Sequence, residues 1–285
     1  MPKVRITNGV NFRLNAYDVD KSQAILMQNY DMDNDELVRQ IHGSVKFHGA
    51  VLGSNSPTLL HVNYNEQENR NDILACCDEK ILVKEQGKNE FRELITTFTP
   101  NVMRSAISLR GKSYIANPKD GLFEYDGVSK VEKVNDIKLR DIIVSKETNR
   151  CFGITDDNEI VWTDDLTDMG GVPLAWDGAN IDVIPSSDGD ISEKLWSLNG
   201  RIIILCTNSI WTYYTNGSPE SWRLERETNS EGCIAPQTVK QVHGELWFLG
   251  YSPSTGIGIY AFDGRTTRRL SFDIDPMLEK INPSR

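Results

Sequence analysis

The chain has 285 residues, enough to bury a sizeable core as one or two domains, and its 39% hydrophobic and 25% charged content is ordinary for a globular fold. A net charge of −10 excludes a general nucleic-acid surface, because phosphate contacts need clustered Lys and Arg. The five cysteines, at 76, 77, 151, 206 and 233, follow neither a metal spacing nor a disulfide framework and read as small core residues in a reducing compartment.

In chain order, residues 1–42 read as an arm plus a strand. The first six residues are too polar for a signal peptide, and no segment approaches the length of a membrane span, so the cytosol is the expected place of synthesis. Residues 7–11 form a turn, residues 20–24 open one helical turn behind Asp20 or Ser22, and residues 24–30 alternate. An acidic turn at 31–36 then leads into a strand at 36–41. Residues 43–52 begin a hairpin about His48-Gly49. Residues 57–72 read as a polar excursion, with Asn63 to Asn71 too hydrophilic to serve as core.

Beyond this point one unit recurs. Its clearest copy spans 231–270: strand 237–242, a His243-Gly244 turn, apolar strand 245–251, a Pro/Ser/Gly loop, strand 258–262, an Asp263-Gly264 turn and strand 265–270. Two hairpins in series with a buried second strand describe one blade of a β-propeller. Weaker copies lie at 106–131, with turns Arg110-Gly111 and Asp126-Gly127, and at 195–224, with turns Asn199-Gly200 and Asn216-Gly217. A copy with insertions covers 141–184 and closes on Trp176-Asp177-Gly178. A loose one covers 73–94 and turns at Gln86-Gly87. The turn glycines Gly87, Gly127, Gly178, Gly217 and Gly264 stand about 40–50 residues apart, a blade period. The expected fold is therefore all-β: a β-propeller of about five blades over 43–272, after an N-terminal arm and strand at 1–42. A short C-terminal helix and tail follow at 273–285, with Asp275 as cap, Pro276 in the first position and Pro283 ending it.

Candidate chemistry is sparse. Asp156, Asp157, Asp164, Asp165 and Asp168 lack the order and turn glycine of a calcium loop. Ser187-Asp188-Gly189-Asp190 has a faint likeness to the Asp-box of sialidase propellers, but without the Thr-Trp end it reads as a loop turn. His42, His48 and His243 stand beside turn glycines and His61 stands apart, so no triad or metal set forms. The six tryptophans, 162, 176, 196, 211, 222 and 247, read as strand residues packing blade on blade. Arg265, Arg268 and Arg269 read as a solvated strand face. No nucleophile elbow, phosphate-cradling loop or HExxH occurs. The expectation is a protein that binds and does not catalyse, with no cofactor and no metal. Its contact surfaces would be the loop 63–71 (Tyr64, Glu66, Glu68, Arg70), the loop 164–175 (Asp165, Asp168), the arm, and the C-terminal helix (Met277, Leu278).

Three stretches resemble one family. They are Asn8-Gly9-Val10-Asn11 with Ala24-x-Leu26-x-x-Asn29-Tyr30-Asp31 and Leu37-Val38-Arg39-x-x-x-Gly43; Glu231-Gly232-Cys233-Ile234-Ala235-Pro236 with Gly244-Glu245-Leu246-Trp247-Phe248-Leu249; and Gly258-Ile259-Tyr260-x-x-Asp263-Gly264. Together they resemble the β-propeller tail proteins of tailed phages, of the packaged-DNA stabilisation or tail accessory type found in short-tailed phages. The likeness covers both ends, and the middle by blade rhythm alone. It implies a virion structural protein of the tail or head-to-tail connection, assembled in the host cytoplasm. Such a protein sits in a ring of like subunits, binds neighbouring tail or portal and adaptor proteins, and helps retain packaged DNA and form the ejection conduit. It implies no sequence-specific nucleic-acid contact and no membrane. The competing reading is a carbohydrate-binding, receptor-recognising propeller. A cellular scaffold of the WD type comes third, because its Gly-His and Trp-Asp pairs do not recur.

Overall fold

Hairpins closed by left-handed residues build this chain. The structure is a computed structural model and describes residues 30–32, 38–40 and 52–278, except 56, 67, 95–96, 168–174, 177–179, 186–188 and 229. The expectations for 7–29, 43–50, Asp168, Gly178 and Ser187-Asp188 fall outside the described residues, as does the chain after 278. Tyr30–Met32 (β1) pairs antiparallel with Val38–Gln40 (β2); β2 lies inside the strand expected at 36–41, whereas Asp31 and Met32 of β1 belong to the stretch expected as an acidic turn.

Five four-stranded antiparallel sheets follow, each joining its strands in simple sequence order. The first holds Leu59–Asn65 (β3), Arg70–Cys77 (β4), Lys80–Lys84 (β5) and Arg92–Leu94 (β6). The second holds Ser105–Leu109 (β7), Lys112–Asn117 (β8), Gly121–Tyr125 (β9) and Val131–Asn135 (β10). The third holds Leu139–Ser145 (β11), Arg150–Thr155 (β12), Glu159–Trp162 (β13) and Ile181–Val183 (β14). The fourth holds Ser192–Leu198 (β15), Arg201–Cys206 (β16), Ile210–Tyr214 (β17) and Arg223–Thr228 (β18). The fifth holds Gly232–Val242 (β19), Glu245–Ser252 (β20), Gly256–Phe262 (β21) and Thr267–Arg269 (β22). These are the blades of a β-propeller.

The chain divides into two compact units, His48–Asn229 and Met1–Phe47 with Ser230–Arg285. In the first unit β3 lies beside β7, β7 beside β11 and β11 beside β15, so the first strand of each blade neighbours that of the next. Much of the core lies between blades, with a smaller cluster of Ala75, Cys77 and Leu82 within the first. Leu74, Ile81 and Val83 of the first blade pack on Ile115, Phe123 and Tyr125 of the second. Leu122 and Tyr114 of the second meet Leu139, Ile142 and Cys151 of the third. Phe152, Ile160 and Trp162 of the third meet Leu195, Ile202, Trp211 and Tyr213 of the fourth. Each such side chain contributes roughly 1.5–3 kcal/mol by leaving water.

Polar side chains reinforce the same joints. Asn63 on β3 is fully buried; its Nδ2 donates to the Gly111 carbonyl (3.2 Å), and its Oδ1 accepts from Ser113 Oγ (2.8 Å). Asn65 donates to the Gly127 carbonyl. Two joints further on, Asp141 on β11 accepts from the Leu195 amide (2.7 Å) and Lys194 Nζ (2.8 Å) of β15. Arg110 reaches from the second blade to the Leu166 carbonyl (2.6 Å) beyond the third strand of the third.

The turns take the geometry that their residues allow. Arg110-Gly111, Asn199-Gly200 and His243-Gly244 have φ of 52° and 77°, 51° and 74°, and 49° and 85°. Paired positive φ is what a two-residue hairpin with the right-handed strand twist requires. Gly87, Gly127, Gly217 and Gly264 each lie between the third and fourth strands of a blade, with φ from 82° to 103°.

In the second unit, β19 begins at Gly232, five residues before the strand expected at 237–242. Its pairing with β20 is interrupted between Ala235 and Lys240, where Pro236 has no N–H to give. Thr238 Oγ1 repairs the gap: it accepts from the Leu249 amide (2.9 Å) and donates to the Ala235 carbonyl (2.6 Å). Phe272–Ile274 forms one 3-10 turn and Asp275–Leu278 (α1) one α turn. Asp275, expected as a cap, begins the helix itself, and its carboxylate takes Ser271 Oγ (2.7 Å) and Arg269 Nη2 (3.0 Å).

Two expectations are corrected. Residues 57–72 are not a polar excursion: β3 and β4 occupy most of that stretch, and among the described residues of their connection 66, 68 and 69 turn. Asn63 and Asn65 are polar because they bond the next blade, not because they face water. Nor do all six tryptophans lie in strands. Trp176 stands in a connection, and Trp222 directly follows the 3-10 turn Pro219–Ser221.

Candidate functional site

Two surfaces of the unit His48–Asn229 stand out. The first is β3, the edge strand of its sheet. Alternation puts His61, Asn63 and Asn65 against the second blade, where the His61 ring bonds Ser108 Oγ (2.8 Å). The opposite face carries Leu60, Val62 and Tyr64, which are 67%, 57% and 48% exposed. The pattern is inverted, polar inward and apolar outward. A contiguous apolar row on an edge strand is a feature of contact surfaces.

Of the residues expected to make contacts, those of the β3–β4 hairpin adjoin this row. Tyr64 OH donates to Asn69 Oδ1 (2.5 Å), which pins the ring over the β3–β4 connection. Glu66 is exposed there. Glu68 is largely exposed and lies 3.8 Å from Arg70. Arg70 turns back into its own blade: Nε donates to Asp72 (2.8 Å), and Glu85 stands at 3.7 Å. Its hydrogen bond to Asp72 raises the guanidinium's affinity for its proton further. Leu278 is buried, and Met277 shares its helical turn, its side chain lying outside the described residues.

The second surface is a cavity of about 480 Å³ at the joint of the third and fourth blades. Glu147, Thr148 and Arg150 enter it from the β11–β12 hairpin, and Asp165 from the segment after β13. Gly200, Thr215 to Pro219 and Trp222 come from the fourth blade's hairpins. Trp222 is held by its Nε1, which donates to the Gly217 carbonyl (3.2 Å). Phe152, Trp162 and Tyr213 pack around it, with centroids 5.7, 5.2 and 5.8 Å away. Arg150 stands 6.0 Å from the centre of the indole, and its Nη1 donates to the Thr163 carbonyl (2.7 Å). Asp165 Oδ1 accepts from Asn149 (2.6 Å) and from the Thr167 amide and hydroxyl (2.8 and 2.6 Å). The Thr167 bonds, first its hydroxyl, hold this carboxyl below the usual range.

Of the residues singled out beforehand, the structure brings Asp165, Trp222 and the turn residues Gly200, Asn216 and Gly217 together in this cavity. Glu147, Thr148, Arg150 and Thr215 carried no sequence signal, because they come from hairpins of two different blades. Among the described residues no cluster of three or more metal-ligating side chains forms. Asp156 faces Arg140 (2.7 Å) and Lys119 (3.4 Å). Asp190 is buried and accepts from Thr207 Oγ1 (2.9 Å), the Asn208 amide (2.7 Å) and Ser209. Arg268 pairs with Glu245 (2.6 Å), and Arg269 donates to the Ile257 carbonyl (2.7 Å).

No protein-family model and no curated relative matches the chain. Among solved structures it is similar to the extracellular domain of a hybrid two-component system from B. thetaiotaomicron, at 14% identity over 71% of this chain with a TM-score of 0.49. The chain spans 26% of that protein's length. It is also similar to the Cps50 (Swd1) β-propeller domain of Myceliophteria thermophila, at 13% identity over 73% of this chain and 70% of that one, TM-score 0.48. A further likeness is to the N-terminal domain of Nup159, at 8% identity over 74% and 61%, TM-score 0.49.

Proposed function

We propose that this chain is a non-catalytic structural β-propeller of a phage tail or head-to-tail connection. It binds neighbouring tail, portal or adaptor proteins and its own copies in a ring, and so helps retain packaged DNA. The observation that carries a binding role is the exposed row Leu60, Val62 and Tyr64 on an edge strand. The placement in a tail rests on the resemblance of the chain's two ends to tail propellers. Net acidity fits a conduit that must let a genome pass, since like charge keeps contact with DNA weak.

The test is quantitative proteomics on purified particles of the virus that encodes the chain, with a deletion mutant and a Leu60→Asp/Val62→Asp double variant. The expected result is a fixed copy number, loss of packaged DNA on deletion, and failure of the double variant to join the particle despite normal folding. Absence of the native chain from particles overturns the tail reading.

A further inference from the structure

β14 (Ile181–Val183) ends the third sheet on the side away from β11, and no strand among the described residues pairs with its outer edge. The register decides which of its residues face that edge. The Trp162 amide donates to the Asn180 carbonyl (3.1 Å), and the Ile184 amide to the Asn158 carbonyl (2.9 Å). Those are hydrogen-bonded pairs of an antiparallel ladder, and Ile160 with Asp182 is the one between them. Ile181 and Val183 fall at the alternate, non-bonded positions, so their N–H and C=O groups point outward from β13. The same two residues carry apolar side chains that are 36% and 67% exposed. The one charge on the strand, Asp182, turns to the Tyr213 hydroxyl of the fourth blade. The other sheets end differently. β6, β10, β18 and β22 each carry exposed charged side chains, such as Glu132 and Lys133 on β10. Outward charge is a usual protection of an edge against pairing. β14 has unpaired ladder groups and apolar side chains at the same positions, without that protection.

We propose that the β14 edge takes one extended segment of a partner protein as an added strand, with apolar residues at alternate positions and Lys or Arg flanking them. The outward backbone groups specify a strand, since an extended chain offers N–H and C=O at the matching spacing. Ile181 and Val183 stand on one face two residues apart, and they specify apolar residues at the same alternation. Carboxylates specify the charge. Asp157 is exposed at one end of β14, next to Asn158, which holds Ile184. Asp164 is exposed at the other end, where Asn180 Nδ2 reaches it (3.4 Å). Glu159 stands opposite Val183. Arg150, 3.7 Å from Asp164, is the counter-charge on this side. A basic segment is therefore attracted, whereas a second copy of the chain brings the same carboxylates and a net charge of −10. This edge is separate from β3 and does not depend on the tail reading: a strand can add here whether or not the chain is found in particles.

The experiment uses the full chain. A displayed library of random nonapeptides is panned against it, and the most enriched sequence is synthesised and titrated by calorimetry. Amide hydrogen exchange is then followed at Ile181 and Val183. The expected result is enrichment of Val, Ile or Thr at alternate positions with Lys or Arg outside them, and slower exchange of both amides when the peptide is bound. Val183→Lys replaces an apolar contact by a charge on the edge and should weaken binding by about tenfold. It leaves the ladder to β13 intact and should melt as the native chain does. Val183→Pro gives a second readout: it removes an outward N–H that the fold does not use, and it should abolish peptide protection of the Ile181 amide. The inference is overturned if no peptide is enriched, if the enriched peptides lack the alternation or the basic flanks, if the two amides exchange as before, or if Val183→Lys binds as the native chain does. A second copy on this edge would instead slow both amides as protein concentration rises with no peptide present, and that result also overturns it.

Discussion

On β3 a one-residue alternation decides which side chains meet water and which meet the next blade. His61, Asn63 and Asn65 are the inward set, and burial pushes the His61 imidazole down to about 4. In the unfolded chain the same ring takes its proton near 6.5. The folded state therefore holds His61 neutral, and the unfolded state binds the extra proton below pH 6.5. His61 costs the fold no stability above that pH, an increasing amount as pH falls from 6.5 to about 4, and no more below. Urea midpoints measured across that window should fall more steeply for the native chain than for His61→Gln; parallel curves would refute the burial account. The same alternation explains what the sequence concealed. A run such as Asn63-Tyr64-Asn65 has the composition of a loop, and polarity alone does not reveal that an asparagine is buried against a carbonyl of another blade. The cavity was hidden for a related reason. Its hydroxyls and carboxylates come from turns far apart in sequence, and the sequence marks Asp165, Trp222 and the turn residues there for other reasons.

At the scale of the element, turn glycines were the legible signal, because a positive φ restricts residue choice more strongly than a strand does. Gly87 and Gly127 occupy the same place in successive blades, with φ of 82° and 83°. They differ in surroundings. An added Cβ at Gly87 meets nothing within 4 Å, whereas at Gly127 it falls 2.6 Å from the Gly111 carbonyl oxygen. Gly87→Ala should cost about 1 kcal/mol, from the backbone alone. Gly127→Ala should cost clearly more, because it also pushes apart the turn that Asn63 and Asn65 hold. Equal shifts in denaturation midpoint would show that the contact has no weight. Strand limits were less legible than turns. Pro236 argues against a strand at 232–236, and only the side chain of Thr238, standing in for a ladder bond, makes that strand possible.

For the whole molecule, the five-fold recurrence of one meander was readable from glycine spacing, while the first blade was half missed for the reason given for β3. All five cysteines are buried and stand outside any disulfide, and desolvation pushes Cys76, Cys151 and Cys206 up to about 12. A thiol-reactive dye at pH 8 should thus label none of the five in the native chain within minutes and all five in denaturant; fast native labelling would contradict the packing. The joints of the first unit also run in one direction along the chain. Asn63 needs Gly111 and Ser113, and Asp141 needs Leu195. During synthesis, then, a blade emerging from the ribosome carries buried-to-be polar groups whose partners are still being translated roughly 50 residues behind it. Each blade stays provisional until the next has cleared the exit tunnel, so a pause in translation exposes one unfinished sheet face at a time.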